Sequence, residues 1–160
     1  MNVKALKKAA LPMLLLGVFG ISPAVAAIQL MQVPKITGDV DLDDYRGWIS
    51  IDSLEAGVDQ GLCSDVMVSK QQDSASLMLL HAAATGQQFD QIVIVQLETD
   101  KERLVETLRV TLSPARILEM SLTGSEGPLE ESLLLDTAEM TFNDGFSPEV
   151  TIPCGRLKKK

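Results

Sequence analysis

Alternating apolar and polar positions recur along most of the chain, and they predict strands. "AIQLMQVPKI" (27–36) opens as a short extended run that Pro34 and Gly38 end. "GWISIDSL" (47–54) sets Trp48, Ser50 and Asp52 on one side and Ile49, Ile51 and Ser53 on the other. "SDVMVSKQ" (64–71) opposes Val66 and Val68 to Met67 and Ser69. "QIVIVQL" (91–97) is apolar on both faces, as a strand covered on two sides would be. "ETLRVTL" (106–112) turns Leu108, Val110 and Leu112 inward. "RILEMSLTG" (116–124) is expected to do the same with Leu118, Met120 and Leu122, and "ESLLLDTAEMTF" (131–142) with Leu133, Leu135 and Thr137 in one long strand.

One stretch breaks the alternation. "DSASLMLLHAAATGQQ" (73–88) is rich in helix formers, with Asp73 or Ser74 as a cap and Gly86 where a left-handed residue would end the helix. Leu77, Leu80, His81 and Ala84 fall at helical spacing and are expected to face the sheet. Short strands around one embedded helix predict a mainly β fold, a barrel or sandwich with the helix lying against it. "NDGFSPEVTIPCGRLKKK" (143–160) reads as a polar C-terminal extension.

The N-terminus adds a destination. Residues 1–27 carry Lys4, Lys7 and Lys8, then an apolar run from Ala9 to Ile21, then small residues after Pro23. This is the layout of a secretory signal peptide, with cleavage after Ala26 or Ala27. An uncleaved anchor is the alternative, although the run is short for a span and holds Pro12 and Gly17. The expected product is an exported chain, periplasmic or extracellular, with no membrane span after cleavage.

Removing the leader takes the net charge from −8 to −11, with 11 Lys and Arg left against 22 Asp and Glu. Such a surface repels nucleic acid and anionic lipid. Cys63 and Cys154 are the only cysteines. Export would permit a disulfide between them, closing a loop of about 90 residues worth roughly 4–5 kcal/mol in the chain-entropy model. The spacing alone does not show that they meet.

Candidate chemistry is sparse. "GDVDLDDYRGWIS" (38–50) begins like a calcium loop with Asp39, Asp41, Asp43 and Asp44. Counting from Asp39, the sixth position should be Gly and is Asp44, and the twelfth should be Glu and is Ser50. A hydrated acidic loop is the expectation, with no metal and no cofactor. Nucleophilic catalysis needs a base, and the single histidine, His81, sits on an apolar helical stripe. Glu130 and Glu131 have no evident partner for acid–base work, and one Trp, one Tyr and four Phe make a poor stacking platform. No catalytic residues are assigned, and a non-enzyme is expected.

The order of the segments carries a resemblance. Residues 64–97 resemble the strand–helix–strand centre of the haemolysin-coregulated protein (Hcp) family, the tube protein of type VI secretion. Lys70, Asp73, Ser76, Leu79 and Ala84-Thr85-Gly86 fall on its pattern. Residues 121–142 resemble its second signature through Pro128, Glu130 and Leu135, and "GWISIDSL" matches its early strand. The resemblance implies an Hcp-like β-barrel of two packed antiparallel sheets with one flanking helix over residues 28–142. It also implies a homo-oligomer, a hexameric ring that stacks into a tube, with protein effector cargo or secretion-machine components as partners. The leader departs from the pattern, because a tube protein leaves through its own machine. A monomeric periplasmic or extracellular binding domain on the same fold is the alternative.

Overall fold

The computed structural model describes residues 27–59, 62–124, 127–155 and 157. The predicted leader, save Ala27, lies outside the described residues.

Two antiparallel sheets face each other across one core. The first has six strands in the order β13-β12-β9-β8-β1-β2. These are β1 (Ile28–Gln32), β2 (Ile49–Ile51), β8 (Ile92–Asp100), β9 (Arg103–Leu112), β12 (Glu139–Asn143) and β13 (Val150–Pro153). The second has five, in the order β3-β6-β11-β10-β7. Its members are β3 (Ser53–Glu55), β6 (Val66–Gln71), β7 (Gln88–Phe89), β10 (Ala115–Thr123) and β11 (Glu130–Thr137). A small hairpin, β4 (Val58–Asp59) with β5 (Leu62–Cys63), stands apart from both. The sheets keep separate ladders, so the mainly β, two-sheet architecture is present without a closed hydrogen-bonded barrel.

Two runs that read as single strands are each cut in two. "GWISIDSL" ends β2 at Ile51 and starts β3 at Ser53, in the other sheet. The stretch 131–142 likewise breaks at Ala138, leaving β11 in the five-stranded sheet and β12 in the six-stranded one. Alternation persists through such corners, because a strand that switches sheets keeps facing the same core. Strand β10 differs for another reason. A bulge between Ile117 and Glu119 shifts its phase, so Ala115 and Ile117 are buried and Leu122 is 46% exposed, against the expected inward run from Leu118.

The 143–160 tail is more than an extension, since β13 pairs with β12 from Glu139↔Pro153 to Phe142↔Val150. Behind it, Cys154 is joined to Cys63 by a disulfide, with Cα atoms 4.9 Å apart.

The helix α1 (Ser76–Thr85) packs against β10. Its buried side is Ser76, Leu79, Ala82 and Ala83, which corrects the expected stripe. Leu77, Met78 and Leu80 are 75%, 52% and 36% exposed, and His81 and Ala84 are exposed too. Every position from 77 to 84 is apolar or His81, so spacing alone left several faces open. Small Ala82 and Ala83 let the helix sit close to the sheet where bulkier residues would hold it off. Its end is as expected. Gly86 has φ 66°, with Gly86 N–H donating to Ala83 O at 3.3 Å and Gln87 N–H to Ala82 O at 3.0 Å.

Strand β8 is apolar on both faces because both are covered. Ile92 and Ile94 enter the core between the sheets, whereas Val93, Val95 and Leu97 join a second cluster on the outer face with Leu30 and Trp48.

Candidate functional site

Lys70 and Glu131 are the most buried charges among the described residues. Lys70 lies on the inward phase of β6 with Val66 and Val68, and its side chain is 0% exposed. Its ammonium donates to Glu131 Oε2 at 2.7 Å, Asp73 Oδ1 at 2.8 Å, Gln71 O at 2.7 Å and Ser76 Oγ at 3.3 Å. Glu131 is the residue directly opposite on β11 and is equally buried. Two carboxylates around one ammonium offset part of the desolvation, while Glu131 Oε1 is buried without a hydrogen-bond partner among the described residues.

The same cluster starts the helix. Asp73 Oδ1 accepts the Ala75 N–H at 3.0 Å, while the Asp73 N–H donates to Ser76 Oγ at 2.9 Å. Asp73 thus folds the turn before the first helical residue, a side-chain turn of the Asx kind. Of the residues on the sequence pattern, Lys70, Asp73 and Ser76 are brought into one network, and Leu79 is buried beside it in the core. The ammonium is sealed from solvent, and its donors are taken by two carboxylates, a carbonyl and a hydroxyl. Its work is to join β6, β11 and α1.

Glu130 is exposed and takes no part in this network. In the sequence Glu131 has no evident partner. Its partner is 61 residues away, a distance that only strand register reveals.

The acidic loop is tied to the same corner. Ser74, next to Asp73, donates its hydroxyl to Asp39 Oδ1 and its N–H to Asp39 Oδ2 at 3.1 Å. These bonds, the hydroxyl first, hold the Asp39 carboxyl below its ordinary value. Asp41 and Asp43 meet Arg46 at 3.2 and 3.7 Å on the surface. Asp43–Tyr45 is a short 3-10 turn, and Gly38 and Gly47 close the loop by Gly38 N–H to Gly47 O at 2.8 Å.

The residues between the aspartates point the other way. Val40, Leu42, Tyr45 and Trp48 pack on Leu30, Val93, Val95 and Leu97. The loop is therefore a folded cover on the six-stranded sheet, where the sequence suggested a hydrated connection. Tyr45 stacks edge-on against Trp48 with centroids 5.1 Å apart and donates to Glu106 Oε2 at 3.2 Å. Burial, then the Glu106 charge, pushes the Tyr45 phenol up.

Asp39, Asp52 and Asp73 border an open cleft of about 470 Å³. Among the described residues no group of three or more His, Cys, Asp or Glu is placed to hold a metal ion. His81 stands exposed on α1, apart from this cluster.

What remains is surface. The outer face of the five-stranded sheet carries a row of serines, Ser53, Ser69, Ser132 and Ser121, on four adjacent strands. Beside it runs a mixed row of Glu55, Met67, Leu134 and Glu119. The helix adds its apolar ridge, and Phe146, 85% exposed, tops a loop that Asp144 braces by accepting from the Phe146 and Ser147 N–H groups at 2.9 and 2.6 Å. No helix among the described residues is long and apolar enough to cross a membrane.

The described residues thus form a two-sheet fold with a sealed polar corner, broad exposed faces and exposed strand edges. A family model described as "Type VI secretion system effector, Hcp" matches residues 30–144. The chain belongs to the Hcp family of type VI secretion. Its fold is similar to that of Hcp1 from Salmonella typhimurium, with a TM-score of 0.74 and 17% identity over 83% of this chain and 99% of that one. Hcp3 from Pseudomonas aeruginosa, a secreted protein, gives 0.68 and 16% over 83% and 99%. A type VI secretion system effector from Yersinia pestis gives 0.67 and 19% over 77% and 95%. No curated protein matches the chain in sequence.

Proposed function

We propose that the mature chain is a non-enzymatic, self-assembling subunit of the Hcp kind, exported by its leader, that closes into a ring, hexameric in the family it belongs to. The observation that carries this reading is the family match over residues 30–144 on a fold that spans nearly the whole of solved Hcp chains. The sealed Lys70 cluster supports it, since this dense polar site joins elements of the fold and leaves interaction to the faces and edges. A ring is a head-to-tail contact whose rotation closes, and stacking of rings adds a second contact. Protein cargo or parts of a secretion machine are its partners in this reading.

Light scattering on the mature chain tests it. A particle of about six subunits is expected. A monomer at micromolar concentration overturns the ring and leaves the binding-domain alternative.

A further inference from the structure

The last strand and the small hairpin both lie at the margin of the fold, and one covalent bond joins them. β4 and β5 pair only with each other. Val58 and Leu62 on them are 44% and 69% exposed. β13 is the outermost strand of its sheet, and of its four residues only Ile152 is half-buried. Besides the disulfide, it is held by the ladder to β12, a Thr141–Thr151 hydroxyl bond at 3.1 Å, the Cys154 N–H to Ala138 O bond at 2.7 Å, contacts with β5 and the packing of Cys154 on the core. The matched family region ends at residue 144, before this strand begins. Both cysteines are half-buried, within reach of a reductant once the edge loosens.

We propose that the Cys63–Cys154 disulfide is a redox clasp: it keeps β13 on the edge of the six-stranded sheet, and its reduction releases β13 and uncovers β12. Short edge strands that bury little apolar surface open locally at low cost. The tether removes most of the conformations β13 would gain by leaving.

The chemistry balances with a thiol–disulfide exchange partner. To close the clasp, the two thiols give up two protons and two electrons to a disulfide oxidant, through a mixed disulfide. To open it, a dithiol returns them, becomes a disulfide itself, and leaves Cys63 and Cys154 as thiols. The backbone groups of Glu139–Phe142 that face β13 then lose their partners, and an uncapped edge is a template for another strand. The clasp thus decides, by the redox state of the compartment, whether that edge is available.

Hydrogen exchange by mass spectrometry on the mature chain, oxidised and treated with dithiothreitol, reads the clasp directly. On reduction, amides of 150–154 and those of 139–142 that face β13 are expected to exchange about tenfold faster or more, while those of β6, α1 and β11 keep their protection. Reoxidation restores the first pattern, and the Cys63→Ser/Cys154→Ser double variant shows the open pattern without reductant. Unchanged protection of residues 150–154 in the reduced chain overturns the proposal. So does loss of protection throughout the domain, whether by reductant or in the variant, because the bond would then hold the whole fold. The result does not depend on ring formation, so it fails or stands apart from the functional reading.

Discussion

Lys70 Nζ lies 2.7 Å from Glu131 Oε2, across a strand pair that sets the two residues directly opposite each other in the interior. Each is 0% exposed, so neither charge has water to fall back on. Lys70→Met is expected to cost about 3–5 kcal/mol in urea unfolding, because it strands a buried carboxylate. Adding Glu131→Leu should recover a large part of that loss. A double variant as weak as the single one would show that packing, and not the unpaired charge, sets the cost.

The buried side of α1 gives a second contrast. Leu79→Ala is expected to destabilise by about 2–5 kcal/mol, whereas Leu77→Lys should stay within about 0.5 kcal/mol of the parent. Equal effects at the two positions would contradict the helix orientation.

Gly38 marks where the acidic loop crosses β2. A Cβ there would sit 2.7 Å from Ile49 Cα and 2.8 Å from Ile49 Cγ1. Gly38→Ala is expected to cost about 1–3 kcal/mol and to shift the emission of Trp48, the only tryptophan, to the red as the cover lifts. Parental emission together with parental stability would count against close packing at this crossing.

The Asp39–Ser74 tie makes the loop acid-sensitive. The Asp39 carboxyl is held below its ordinary 3.8, first by the Ser74 hydroxyl and then by the Ser74 N–H. A lowered folded value means that the stabilisation is present above the ordinary value and fades as pH falls through the folded one. Trp48 fluorescence should therefore report loop release only in acid below 3.8, and Ser74→Ala should shrink that acid transition. An identical transition in the variant would exclude the hydroxyl as its cause.

Much of the fold was legible because burial in a two-sheet protein writes itself as alternation. Ile92, Ile94, Val93 and Val95 announced a strand covered on both sides, and they have both covers. Gly86 announced the helix end. The corners at Asp52 and Ala138 were invisible, since alternation continues through them, and the bulge after Ile117 was hidden by another leucine at the next position. The helix orientation was lost among many apolar residues. The polar cluster was half legible. Lys70, Asp73 and Ser76 stood on the resemblance, but Glu131 needed the register of β6 on β11. The loop misled for a related reason: its four aspartates drew the eye from Val40, Leu42 and Tyr45, which set its place.

The corners also bear on how the fold would yield under load. At Asp52 and Ala138, and again between β7 and β8 and between β9 and β10, the backbone itself passes between the layers, so they cannot part like the covers of a book without bending continuous chain at all four crossings. Compression or tension has to be absorbed as shear between the layers, against interlocked side chains such as Ile49, Ile94, Leu133 and Leu135. A chain of this build would resist separation of its two layers with little change of shape.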